Sequence, residues 1–135
     1  HVGVPGAMHA SHLEGELVIF GERPDRRHRR DDRYLIAGRE PIQLVETLQP
    51  KEYAKEHIAG AMNIPFTKMT GEARERFSKD DVIVVYCHNP NCKASTRAAE
   101  KLEKLGFTNV FEYEGGKDDW KAAGYPMEYD EPLRE

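Results

Sequence analysis

The apolar positions along the chain change period several times, and each change marks an element. Leu17-Val18-Ile19-Phe20 reads as a short strand. From Pro41 onward the pattern is regular. Ile42-Gln43-Leu44-Val45 predicts a strand, and Pro50 suits the first turn of a helix over 51–57, where its missing N–H is not needed. Gly60 is expected to end that helix, and Ala61-Met62-Asn63-Ile64 to form a strand stopped by Pro65. A polar helix follows over 72–77. Val82-Ile83-Val84-Val85-Tyr86 is apolar without a break, the mark of a strand buried on both faces. Ala98, Ala99, Leu102 and Leu105 recur at helical spacing, which predicts an amphipathic helix over 95–105 with Gly106 as its stop. Val110-Phe111-Glu112-Tyr113 is the next strand, and Gly115-Gly116 turns the chain into a last short helix through Trp120. Gly124 and Pro126 are expected to end the regular structure. Strands alternating with helices define an α/β chain with a mainly parallel central sheet covered by helices on both faces.

Composition narrows the picture. The 135 residues fit one domain. Lys plus Arg number 20 and Asp plus Glu 24, a net charge of −4 that argues against a nucleic-acid partner. The longest unbroken apolar run, Val82 to Cys87, is too short to span a bilayer, and no apolar segment near the start suggests a signal peptide. Neither feature points to a membrane partner. Two cysteines do not make a disulfide framework, so a cytoplasmic chain with reduced thiols is expected. Residues 1–12 show no usable period and hold three of the six histidines; a disordered end or an expression remnant is favoured over a metal-binding tail, leaving 13–135 as the single domain. Glu22 to Arg33 carries six arginines against four acids, a mixture that reads as a solvated loop or helix face rather than an anion site.

The candidate chemistry sits after the most apolar strand. In open parallel sheets ligands bind beyond the carboxyl ends of the strands. Cys87 stands at that end, and the loop His88-Asn89-Pro90-Asn91-Cys92-Lys93-Ala94 leads into the helix beginning at Ser95. Unpaired N–H groups and the positive end of the helix dipole favour thiolate over thiol, and the thiolate is the nucleophile. The same cradle suits an oxyanion. The bland alternative is a buried, inert Cys87 that merely ends a core strand. Ser95 is expected to cap the helix with its hydroxyl and also to face the sulfur.

Two blocks resemble the rhodanese-like domain family. One is LVETLQPKEYAKEHIAGAMNIP (44–65), the other VIVVYCHNPNCKASTRAAEKLEKLGFTNVFEYEGGKDDWKAAGYPME (82–128), and together they span about half the chain. The resemblance implies a rhodanese-like three-layer fold with Cys87 as the catalytic cysteine. It implies sulfurtransferase activity: sulfane sulfur moves from thiosulfate or a persulfide, through a Cys87 persulfide, to a thiol, cyanide or protein acceptor, with no cofactor. His88, Asn89, Asn91, Cys92, Lys93, Ser95 and Arg97 would line the substrate site. The loop holds seven residues between Cys87 and Ser95, longer than in many members, and looks like a subgroup of the form Cys-x4-Cys-x2-Ser. Glu46-Thr47-Leu48 stands where Asp-Val-Arg is common, and Lys93 where related phosphatases carry an arginine.

Cys92 has three readings: a resolving thiol that forms a disulfide with Cys87, a partner in relaying sulfur, or a loop filler. Zinc held by Cys87, Cys92 and His88 falls short of the usual four ligands. Gly115-Gly116-Lys117 lacks the spacing of a phosphate-binding loop, Trp120 reads as packing, and His57 as fixing a turn by hydrogen bonds. Two other functions remain open. One is a Cys-dependent phosphatase or arsenate-reductase-like enzyme. The other is a non-catalytic binding module that uses the arginine-rich segment 23–33.

Overall fold

The computed structural model describes residues 8–13, 16–20, 33–35 and 42–129. Its strands are β1 (Met8–Leu13), β2 (Glu16–Phe20), β3 (Arg33–Leu35), β4 (Ile42–Glu46), β5 (His57–Ile58), β6 (Met62–Asn63), β7 (Val82–Tyr86), β8 (Asn109–Tyr113) and β9 (Met127–Glu128). Its helices are α1 (Pro50–Lys55), α2 (Met69–Arg76), α3 (Ala94–Lys104) and α4 (Gly116–Ala122), with a 3-10 turn over Phe66–Lys68. The main sheet has the order β3-β2-β1-β8-β7-β4-β6. The run from β1 to β6 is parallel, and β2 and β3 add an antiparallel edge. β5 and β9 pair in a separate antiparallel ribbon.

The β7 sequence explains why it is central. Its side chains alternate between two apolar layers, as the period-2 geometry of a strand requires. Ile83 and Val85 join Val45, Ile64, Met69, Ala73, Ala98, Ala99, Leu102 and Val110 on one face, under α2 and α3. Val84 and Tyr86 join Leu44, Ile58, Phe111, Tyr113 and Trp120 on the other, under α4 and the β5–β9 ribbon. Both layers need apolar partners, so the strand reads as a continuous run. Ala98 and Ala99 have no long side chains and let α3 lie close to the sheet, while Leu102 fills the layer behind them. Gly106, at φ 100°, supplies the left-handed residue that ends α3.

Four expectations need correction. Residues 8–12, expected in a tail, belong to β1, which is held by backbone pairing to β8 and β2 and so needs no apolar period. His57 leaves α1 and pairs in β5 with Glu128, so α1 stops at Lys55 and Gly60 instead closes the turn after Ile58. The strand expected over 61–64 contracts to Met62–Asn63. Regular structure resumes after Pro126 as β9. The segment 23–33 lies outside the described residues except for Arg33, the first residue of β3.

Leu102 is fully buried between α3 and the sheet. Leu102→Ala is expected to cost about 2–5 kcal/mol of unfolding free energy, read from urea denaturation, by lost burial and the cavity left behind.

Candidate active site

Cys87 directly follows β7 and is 2% exposed. Its place is set from two sides. From the sheet, Thr47 Oγ1 and the Thr47 amide both donate to Tyr86 O, at 3.0 Å each. From α4, the Lys117 amide donates to Cys87 O and the Asp118 amide to His88 O, both at 2.9 Å. Gly116 makes that second contact possible. It has φ 68°, and a Cβ there would strike the carbonyl of Cys87 and approach that of His88 to 2.7 Å. Only glycine lets the two backbones lie this close.

The loop that follows is folded by its own short polar side chains. The Cys92 amide donates to Asn89 O at 3.0 Å, and the Asn91 amide to Asn89 Oδ1 at 3.0 Å. Asn at the first turn position and Pro90 at the second suit such a turn. Asn89 Nδ2 also donates to Asp118 Oδ2 at 3.0 Å, pinning the turn to α4. The turn brings Cys92 back onto Cys87, with their Cα atoms 6.3 Å apart, and the two form a disulfide. The thiols expected to be reduced are therefore joined in this structure.

Ser95 does not cap α3. The N-cap is Lys93, without a side-chain cap, and the Arg97 amide bonds to Lys93 O. Ser95 is buried, its Oγ lying 3.5 Å from Cys87 Sγ and donating to Glu112 Oε2 at 2.8 Å. Thr96 Oγ1 donates to the same oxygen at 2.8 Å. α3 begins at Ala94, so Ser95 stands inside the first turn rather than at the cap, and its hydroxyl donates to the half-buried Glu112 carboxylate instead.

Of the predicted site residues, the fold brings Cys87, Cys92 and Ser95 together. Asn89 and the Asn91 backbone shape the turn. His88 is half-buried, with Nε2 3.9 Å from Glu52 Oε1. Lys93 and Arg97 are exposed. His57 fixes its turn as expected: Nδ1 lies 2.8 Å from Tyr53 O and its ring stacks on Tyr53. Trp120 packs in the core and donates to Pro126 O at 2.9 Å.

Sequence reasoning missed a buried network under the loop. Lys117 Nζ donates to Glu46 Oε2 at 3.0 Å, to Glu52 O at 3.2 Å and to Glu56 O at 2.7 Å. Tyr86 Oη donates to Glu46 Oε1 at 2.9 Å and accepts the Ile58 amide at 3.1 Å. Burial pushes the Glu46 carboxyl above its ordinary range, against the opposing pull of Lys117 and Tyr86. Burial, then the Glu46 charge, pushes the Tyr86 hydroxyl far up, so it stays a donor. The available signal was a lysine in the first turn of α4, where the helix dipole disfavours a cation. Glu112 was also missed. Strand alternation puts it on the same face as buried Val110, beneath the start of α3.

The rhodanese-like domain family model matches residues 31–123. The chain belongs to that family. It is 33% identical over 84 residues to the uncharacterized protein YqhL of Bacillus subtilis, covering 62% of this chain and 64% of that protein. It thus spans just under two thirds of that relative's length. It is 30% identical over 87 residues to the thiosulfate sulfurtransferase GlpE of Coxiella burnetii, covering 64% of this chain and 78% of that one. Among solved structures, the BH2092 protein from Bacillus halodurans superposes with a TM-score of 0.64 at 35% identity, covering 69% of this chain and 67% of that one. No helix among the described residues is long and apolar enough to cross a membrane.

Lys117→Met would leave Glu46 buried without its counter-charge, a loss of about 3–5 kcal/mol at neutral pH. The sign of the pH dependence follows. The Glu46 pKa is already raised in the folded chain, and removing the cation raises it further, so the folded variant binds a proton more tightly than the unfolded chain. Its deficit should therefore shrink as pH falls toward the ordinary carboxylate range and be largest at neutral pH. Urea denaturation of both proteins across that range measures this.

Proposed function

We propose that the chain is a sulfurtransferase of the Cys-x4-Cys-x2-Ser type, with Cys87 as its nucleophile. The observation that carries this reading is the position of Cys87. It lies at the carboxyl end of the central parallel strand, against the first turn of α3, in a chain that matches the rhodanese-like family. A relative named as a thiosulfate sulfurtransferase, 30% identical, supports the same chemistry.

The reaction starts from the reduced chain. The Cys87 thiolate attacks the outer sulfur of thiosulfate, forming Sγ–S as the donor's S–S bond breaks and sulfite leaves. A persulfide donor reacts in the same way and releases a thiol. A thiophilic acceptor (a small thiol, cyanide or a protein thiol) then takes the outer sulfur and restores the thiolate. No cofactor enters these steps. The amides of Ala94, Ser95 and Thr96 start α3 and have no intrahelical acceptor, so they suit an anionic donor or the persulfide charge. Lys93 and Arg97 add positive charge at the exposed rim, Lys93 as a point charge rather than a fork. His88, Asn89 and Asn91 complete the substrate loop, the last two by holding its shape.

The disulfide form has no thiolate to offer, so reduction must come first. Pre-reduced protein is expected to release sulfite from thiosulfate and, with excess cyanide, to yield thiocyanate. The unreduced protein should do neither. Cys87→Ser should lose both products while keeping its far-UV circular dichroism. Sulfite release by Cys87→Ser would overturn the reading.

A further inference from the structure

We propose that this chain also reduces the sulfur it accepts, releasing hydrosulfide by closing the Cys87–Cys92 disulfide. The inference rests on the sulfurtransferase reading and extends it to a second activity of the same loop.

Three observations carry it. First, Cys92 Sγ is bonded to Cys87 Sγ in the folded chain, and the Cα separation of 6.3 Å falls within the ordinary disulfide range. Closing the pair therefore needs no change of fold. Second, Cys92 is held in place. The Asn89–Cys92 turn is tied by the Cys92 amide, by the Asn89 side chain accepting from Asn91, and by Asn89 donating to Asp118 at the start of α4. A thiol fixed this way attacks at a high effective concentration. Third, Cys87 is 2% exposed. That is the exposure of the closed pair, in which Cys87 is shielded and Cys92 is the more exposed residue, the one an outside dithiol meets when it reopens the pair.

The geometry also selects which sulfur is attacked. Cys92 contacts Cys87 Sγ, the inner atom of the persulfide. The Cys92 thiolate attacks that atom, a new Sγ–Sγ bond forms, and the bond from Cys87 Sγ to the outer sulfur breaks. The outer sulfur leaves with the electron pair as hydrosulfide. With thiosulfate as donor, the two thiols of the chain and one thiosulfate give one sulfite, one hydrosulfide, one disulfide and one proton. The sulfane sulfur is reduced and the two cysteines are oxidised. A dithiol reductant, small or protein-borne, then returns the disulfide to two thiols and closes the cycle. Attack on the outer sulfur would instead relay a persulfide to Cys92 and release no sulfide.

The test is a single turnover. The full chain is reduced, the reductant is removed, and thiosulfate is added without an acceptor. Sulfite, hydrosulfide, free thiols and intact mass are followed together. The wild type should release sulfite and hydrosulfide in equal amounts, lose both thiols and end two hydrogens lighter than the reduced chain. Cys92→Ser and Cys92→Ala should release sulfite, lose hydrosulfide release and retain one extra sulfur on Cys87. Three results would overturn the proposal while leaving sulfur transfer intact: a stable wild-type persulfide on Cys87, the extra sulfur mapped to Cys92, or undiminished hydrosulfide release from the Cys92 variants. Absence of sulfite from every protein, wild type included, would overturn the sulfurtransferase reading and this inference with it.

Discussion

Lys117 carries an ammonium group into a place almost closed to water, and the fold around the cysteine loop is arranged to receive it. Isolated, such a charge would be far too costly to bury. Here three oxygens accept its three N–H bonds: the Glu46 carboxylate and two carbonyls, of Glu52 and Glu56, at the end of α1. The pair links elements far apart in sequence. Glu46 ends β4, Tyr86 ends β7, and Lys117 opens α4. The residue that carries the charge, Lys117, is also the one whose backbone amide holds the Cys87 carbonyl. A buried pair of this kind is weak evidence for net stability, but removing either partner strands the other. Its consequence is positional: the first turn of α4 has one place to sit, and the cysteine loop is built against it.

Gly116 and the Asn89–Cys92 turn convert that anchoring into loop shape. Two carbonyls in succession, of Cys87 and His88, are taken up by two successive amides of α4, which no β-carbon at 116 would permit. With the loop's start fixed, its extra length has to fold back on itself, and Asn89-Pro90-Asn91 supplies a tight reversal. The returning residue is Cys92. The longer loop is therefore the means by which a second sulfur reaches the first, and not an excursion into solvent.

Much of the central architecture is legible in the sequence because it depends on local periods. β7, α3 and the strand β8 follow from runs and spacings that only a sheet covered on both faces requires. The place of Cys87 follows from them as well. What escapes is whatever depends on pairing at a distance. β1 is held by neighbours on both sides, and β5 by β9, some 70 residues away; two-residue strands leave no period to read. The Glu46–Lys117 pair is a contact across 71 residues, and each partner alone looks like one charge among many. Ser95 shows a subtler limit. Its type fits a cap, but α3 starts at Ala94 and leaves Ser95 inside the first turn, where its hydroxyl donates to Glu112, a carboxylate that arrives from another element.

Cys87 is joined to Cys92 in this structure, and the Ser95 contact bears on what its sulfur meets once the pair is reduced. A serine hydroxyl has a single proton to give. At 2.8 Å, Glu112 takes it, so Ser95 presents only lone pairs toward Cys87 Sγ, 3.5 Å away. Such an oxygen accepts from a thiol and does not stabilise a thiolate. Thiolate stabilisation then falls to the first-turn amides of α3 and the dipole behind them. Turning the Ser95 hydroxyl from Glu112 to the sulfur would add a donor, and Thr96, bonded to the same carboxylate oxygen, would keep that oxygen satisfied. The Cys87 pocket thus contains its own proton-accepting and proton-donating settings, separated by one rotation of a hydroxyl.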